Sequence, residues 1–276
     1  MNKFIHSSLD KLRYNDIENP ELDLRILISH SLKIKKEVIL SNIKINDINI
    51  ELFNNFLLKR LNRVPISKII NEKYFWKDKF YVNKYVLDPR PETELIIEEV
   101  LKNFQYKNGQ LKILDIGTGS GCLAISLARE FPNAKITAID VSMNAIKVAS
   151  KNINRSNLQD QIKLKLTDFK HINSKYDIIV SNPPYLSDKD YQNTSYEIKK
   201  YEPSIALLGG KNGLKYYKKF AKKIDKIMKN NSIFVCEIGH KQTNPCIKIF
   251  SKSNLKLIKI SKDLQNIDRT LVFSKI

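Results

Sequence analysis

From residue 111 onward the chain repeats one grammar: a short apolar run, a turn, then a stretch with helical spacing. The runs are LKILDIG, AKITAID, QIKLKLTD, YDIIVSN, NSIFVCEIG, NLKLIKI and RTLVFSK, with helices expected from about Cys122, Ser142 and Leu214 and another before NLKLIKI. Apolar strands that alternate with helices are covered on both faces when the sheet is parallel and the helices lie above and below it. The fold class expected is α/β, a doubly wound and mostly parallel sheet. That architecture also says where chemistry belongs, because ligands of such sheets sit beyond the carboxyl ends of the strands.

The first seventy-two residues follow a different rule. Leu24, Leu27, Ile28 and Leu32 recur at helical spacing, as do Leu52, Phe53, Phe56, Leu57 and Leu61, and the region has no glycine. A small all-helical domain over residues 1–72 is expected, with Asp47 or Asn46 capping the helix that contains Phe53. The next stretch, KYFWKDKFYVNKYVL, is rich in aromatics and valine and predicts a β-hairpin linker over residues 73–88, turning at Asp78 and at Asn83 and Lys84. The sheet domain then covers residues 89–276. It opens on DPRPETELIIEEVL, where Pro91 suits the first helical position and Glu92 and Glu94 the first turn.

A chain of 276 residues is long enough for one large domain and one small one. Its net charge of +19 has two readings. Excess charge draws a protein toward phosphate-rich partners such as a ribosome; equally, the abundance of Lys, Asn and Ile together is what AT-rich codons produce. Cys122, Cys236 and Cys246 form no CxxC pair, which suits a reducing, cytoplasmic setting and gives no metal site. No stretch approaches the roughly 18–20 apolar residues of a membrane span.

The chemistry concentrates in two motifs. In LDIGTGSGCLAISLA, residues 114–128, the acid Asp115 precedes Gly117, Thr118, Gly119, Ser120 and Gly121 at a strand-to-helix junction. A dinucleotide fingerprint needs glycine at position 122, where this chain has Cys122. The second strand ends in Asp140, placed to accept hydrogen bonds from both hydroxyls of a ribose. Taken singly, the glycines also suit a tight turn and Asp140 a helix cap. Asp168 and Phe169, after the third strand, offer an acceptor for an adenine amino group and a ring face.

The second motif is Asn182-Pro183-Pro184-Tyr185. A planar NH2 group that must act as a nucleophile has its lone pair delocalised, and two acceptors on its hydrogens push density back onto the nitrogen. Asn182 offers a side-chain oxygen and Pro183 a backbone carbonyl, which the proline pair keeps out of any ladder. Tyr185 offers a wall for a flat group.

The glycine loop and Asp140 resemble those of class I, Rossmann-like methyltransferases that use S-adenosyl-L-methionine. The helical domain, the aromatic hairpin, PRPETE at 89–94, DIGTGSG, NPPY and YEPSIALLGGKNGL at 201–214 together resemble the HemK/PrmC family of release factor glutamine methyltransferases. The resemblance implies methylation of the glutamine amide nitrogen in the Gly-Gly-Gln loop of class 1 peptide-chain release factors, free or ribosome-bound, with S-adenosyl-L-methionine as cofactor. It implies cofactor contacts from Asp115, the loop from Gly117 to Gly121, Asp140, Asp168, Phe169 and Asn182. Asn182, Pro183 and Tyr185 would be catalytic, and Pro184, Arg90 and Glu92 would border the glutamine. The length of the segment from Leu186 to Gly210 favours a substrate loop over a passive linker. The family usually has glycine where Asn71 stands, and often Trp at Phe169. A sister enzyme acting on a ribosomal protein shares these motifs. A nucleic-acid amino-methyltransferase shares NPPY alone, and the chain has no module for sequence-specific nucleic-acid recognition.

Overall fold

The computed structural model describes residues 3–32, 44–104 and 109–275. The chain divides into two compact units, residues 1–72 and 73–276; the stretch 33–43 of the first lies outside the described residues.

The first unit contains helices α1 (Lys3–Tyr14), α2 (Pro20–Ser31), α3 (Ile50–Leu61) and α4 (Ile66–Ile70). Leu24, Leu27 and Ile28 of α2 and Phe53 and Leu57 of α3 meet Ile5, Leu9 and Leu12 of α1 in one core. Leu32, expected on the α2 face, is its extended C-cap and bridges to Ile48. The cap of α3 is Asn49, whose side chain accepts from the Leu52 N–H at 3.1 Å. Asn46 and Asp47, expected in that role, lie in a 3-10 turn too early in the chain to reach it. The Arg60 guanidinium pairs with Asp23 at 2.7 Å and ties α3 to α2. Helix α4 ends on Asn71 at φ 56° and ψ 34°, a left-handed position that asparagine tolerates when glycine is absent.

The hairpin that follows is shorter than expected: β1 (Glu72–Phe75) and β2 (Asp78–Tyr81) turn at Trp76 and Lys77, with Trp76 at φ 53°. Asp78 begins β2 instead of making the turn. Two tertiary bonds hold Trp76 in this unusual place: its backbone N–H donates to Glu94 at 2.7 Å and its indole Nε1 to Glu130 at 2.8 Å. Asn83 and Lys84 form a separate turn, in which Asn83 accepts from Tyr85 N.

After a 3-10 turn at Pro91–Thr93 come α5 (Glu94–Asn103), β3 (Lys112–Ile116), α6 (Cys122–Glu130), β4 (Lys135–Asp140), α7 (Met143–Arg155), β5 (Ile162–Leu166) and β6 (Tyr176–Ser181). They are followed by α8 (Asp188–Gln192), α9 (Tyr196–Tyr201), α10 (Lys215–Ala221), β7 (Met228–Glu237), α11 (Thr243–Phe250), β8 (Leu255–Lys262) and β9 (Asp268–Lys275). The seven-stranded order is β5-β4-β3-β6-β7-β9-β8, with only the β7–β9 and β8–β9 pairings antiparallel. Alternate residues enter opposite cores: Ile178 and Val180 of β6 join one, Ile179 the other. The chain moves outward from β3 through β4 to β5, then returns to the other side of β3 with β6. That reversal opens a crevice at the carboxyl ends of the strands.

The segment after β6 is not a structureless loop. It carries α8, α9 and a 3-10 turn, and is closed at its base by a bridge between Leu186 and Leu208. No helix among the described residues is long and apolar enough to cross a membrane.

Candidate active site

The glycine loop is fastened to the neighbouring strand, since Gly117 N and Thr118 N both donate to the Ile139 carbonyl at 2.9 Å. Gly117, Gly119 and Gly121 all have positive φ. They do different work. A Cβ on Gly117 would meet nothing within 4 Å, so this glycine keeps space open in the cleft; one on Gly121 would make only ordinary contact with Ala149 at 3.4 Å, so there it is φ of +83° that calls for glycine. Gly121 is not on the cleft wall, whereas Gly117, Thr118, Gly119 and Ser120 are. Asp115 also lies off the wall. It is fully buried beneath the loop and accepts from the Thr118 hydroxyl at 2.6 Å. Burial pushes its carboxyl up to about 7, against the lowering effect of that hydrogen bond.

Asp140, at the end of β4, accepts from Gly119 N at 3.0 Å and from Ser142 N at 2.9 Å. It does not cap α7; Ser142 does, accepting from Ala145 N. Burial raises the Asp140 pKa, and the backbone N–H bonds oppose it. Asp168 caps a short 3-10 turn through Lys170 N, and Phe169 stands on the wall with its ring edge-on to Phe220 at 5.2 Å. The wall thus carries Asp88, Asp140 and Asp168 against two cationic side chains, Arg90 and Lys219. Arg90 is itself paired with the buried Glu202 at 3.1 Å.

Asn182 follows β6 directly. Its Nδ2 donates to Thr93 Oγ1 at 2.8 Å, and the Thr93 hydroxyl donates to Glu237 at 2.6 Å. Glu237, the last residue of β7, is 1% exposed, and the nearby Tyr185 hydroxyl favours its charged form. Sequence reasoning found neither Thr93 nor Glu237. The signals were a threonine inside PRPETE and an acid ending the apolar run NSIFVCE.

Asn182, Pro183 and Pro184 line the cleft with Arg90. Tyr185 and Glu92, expected beside them, do not line it: Tyr185 packs against the core of the sheet, and Thr93 takes the place on the wall expected for Glu92. The backbone of the motif is clamped from behind. A Cβ on Gly209 would meet the Pro184 carbonyl oxygen at 2.7 Å and one on Gly213 the Tyr185 carbonyl oxygen at 2.2 Å, so both positions admit only glycine at this approach. Gln242 Nε2 donates to the same Tyr185 carbonyl at 2.9 Å.

The profile of the Methyltransferase small domain matches residues 91–200, and that of the PrmC N-terminal domain residues 5–70. A release factor glutamine methyltransferase of Thermodesulfovibrio yellowstonii is 34% identical over 273 residues, covering 97% of this chain and 98% of the relative. The chain belongs to the HemK/PrmC family. A bifunctional methyltransferase of Rickettsia bellii is 36% identical over a gapped alignment of 303 positions that covers 99% of this chain and 54% of the relative. This HemK/PrmC chain therefore spans about half the length of the Rickettsia relatives it matches. The hMettl16 catalytic domain, crystallised with a 3′UTR hairpin, superposes with a TM-score of 0.54 at 19% identity over 70% of this chain and 74% of its own. That likeness is one of fold. Within the HemK/PrmC chain, the glycine loop, Asp140 and residues 182–185 fall inside the methyltransferase match, while Glu237 and Gln242 lie beyond it.

Proposed function

We propose that this chain transfers a methyl group from S-adenosyl-L-methionine to the side-chain amide nitrogen of the glutamine in the Gly-Gly-Gln loop of class 1 peptide-chain release factors, in the cytoplasm, in support of translation termination. The observation that carries this reading is the Asn182 amide. Its Nδ2 is committed to Thr93, which leaves its oxygen for a ligand in the cleft.

The cleft fits the cofactor on two counts. Gly117 leaves open space where a side chain would stand, and Asp140 and Asp168 give the wall an acidic character suited to a cationic ligand and unsuited to a pyrophosphate. Gly117 to Ser120, Asp140, Asp168 and Phe169 would hold it. When bound, it supplies a methyl group already activated by a sulfonium. What this chain adds is position, worth roughly 7–11 kcal/mol at near-attack geometry. Asn182 Oδ1 and the Pro183 carbonyl accept the two hydrogens of the substrate amide. They are held by the Thr93 bond and by the packing of Gly209 and Gly213 behind the motif. No basic side chain is needed, because the alkylated amide nitrogen is strongly acidic and loses its proton readily.

The substrate choice, glutamine in a release factor, rests on the named relatives together with the PrmC N-terminal domain match. The test offers methyl-labelled cofactor to release factor, ribosomal proteins, DNA and RNA in parallel. Label in release factor is expected; label confined to ribosomal protein or nucleic acid overturns the proposal.

A further inference from the structure

We propose that Glu237 is a positioning residue that acts through Thr93 to fix which end of the Asn182 amide faces the substrate. The proposal rests on the methyl-transfer reading above and names what makes that clamp an acceptor instead of a donor.

An asparagine amide is nearly symmetric in shape, so packing alone does not decide whether its oxygen or its NH2 enters the cleft. Hydrogen-bond polarity decides it. An ionised carboxylate only accepts. The Thr93 hydroxyl has a single proton, and at 2.6 Å from Glu237 that proton is committed to the carboxylate in a charge-assisted bond. The Thr93 oxygen is then left as an acceptor, which Asn182 Nδ2 satisfies at 2.8 Å. The Asn182 oxygen is thereby turned toward the cleft.

The wiring reverses if Glu237 becomes a donor. A protonated carboxyl, or a glutamine whose NH2 faces Thr93, donates to Thr93; Thr93 then donates to Asn182 Oδ1, and the Asn182 NH2 faces a substrate NH2 with no acceptor for it, whereas a glutamine whose oxygen faces Thr93 removes the charge that fixes the relay. The groups that bear on Glu237 are Thr93 before α5, Tyr185 after β6, Arg269 on β9 and Glu92 on the 3-10 turn. Thr93, Tyr185 and Arg269 favour the charged form, while burial and Glu92 oppose it, and burial dominates, placing the carboxyl at about 7. The acid limb of turnover should therefore report this group.

The bonds span long stretches of sequence: Thr93 and Glu237 are 144 residues apart, and Asn182 and Thr93 are 89 apart. A structural brace of this kind would serve stability alone if the reacting amide were not at its end. The experiment separates the two roles in the full-length protein, at saturating cofactor, with glutamine-containing release factor as acceptor. E237Q, nearly isosteric, is expected to lower kcat about 100-fold while cofactor affinity by calorimetry stays within threefold, in keeping with loss of one oriented transition-state partner. T93V should lose as much, and T93S should restore most of what T93V loses. The E237Q/T93V double variant should be no worse than either single one, because both cut one relay. The wild-type acid limb near pH 7 should be absent from the residual activity of E237Q.

E237Q turnover within threefold of wild type overturns the proposal, as does T93S as impaired as T93V, or additive losses in the double variant. If E237Q fails to fold, the Thr93 pair decides alone. A wild-type protein that labels no amide overturns the functional reading and this inference with it; a wild type that labels glutamine while E237Q keeps pace overturns this inference alone.

Discussion

Replacing Gly213 by alanine should cripple turnover without touching the cofactor. The added Cβ would stand 2.2 Å from the Tyr185 carbonyl oxygen and 2.5 Å from Gln242 Nε2, against the 3.0 Å below which real Cβ contacts essentially never fall. The oxygen is thus at least 0.8 Å too close. Gln242 has a flexible end and can move, but the carbonyl belongs to backbone. It is anchored on its far side by Leu186, which donates to the Leu207 carbonyl and accepts from Gly209 N at 2.9 and 2.8 Å. The displacement therefore passes into Pro183 and Pro184. A misplacement of about 1 Å at a reacting group costs on the order of 100-fold in rate. The stability cost is separate: φ of +69° carries roughly 1–2 kcal/mol for a residue with a Cβ. The Gln242 bond to Tyr185 adds about 1 kcal/mol when lost. Together these shift Tm by roughly 4–12 °C for a unit of this size. Gly210 supplies the control, for it has φ of +80° but a Cβ there would meet only the Lys215 side chain, at 3.4 Å. G210A should show a comparable backbone penalty and near-normal kcat. Steady-state methyl transfer at a temperature where both variants are folded decides the matter; G213A turnover within threefold of G210A would refute the reasoning.

Other consequences are equally open to measurement. Asp140→Ala should weaken cofactor binding about 100-fold by calorimetry, the loss of two charge-assisted hydrogen bonds at about 1.5 kcal/mol each, while Asn182→Ala should leave that affinity within threefold and remove most turnover. Asp115 has a folded pKa of about 7 against an ordinary value of 3.8, so the folded state holds its proton longer than the unfolded one. Its contribution to stability is present below about pH 4 and is lost as pH rises through about 7. D115N, which has no proton to lose, should therefore gain thermal stability relative to wild type between pH 5 and pH 8; a constant difference across that range would sink the argument. Asp23→Ala removes the 2.7 Å ion pair between α2 and α3, at a side chain of Arg60 that is 8% exposed, and should destabilise the helical unit by about 1–3 kcal/mol in denaturant unfolding.

The sheet was legible because its signals are local. Ile178, Ile179 and Val180 announce a strand buried on both faces, and the glycines between β3 and α6 announce a turn that only positive φ can make. The positions of Asp140 and Asn182 at the carboxyl ends of β4 and β6 were legible for a related reason, as polar residues ending apolar runs. The misses are non-local. Glu237 reaches Thr93 across 144 residues, and no window of sequence holds both. Tyr185 was assigned to the cleft because its motif is contiguous, while its ring packs against the sheet's core off the cleft wall, a placement that only the tertiary structure shows. The Trp76 turn failed similarly: turn propensity favoured Asp78, and two bonds from distant carboxylates overrode it. Glycines Gly209 and Gly213 were visible as part of a motif, but their purpose, close approach to the carbonyls of residues 184 and 185, needed coordinates.

The central claim is that Asn182 and the Pro183 carbonyl receive a planar amide NH2. Tandem mass spectrometry of release factor incubated with this protein and cofactor tests it directly. A single methyl group on the side-chain amide of the Gly-Gly-Gln glutamine, absent when Asn182 is replaced by alanine, is the predicted result; a methyl group on any other residue, or an undiminished yield from the Asn182 variant, would contradict it.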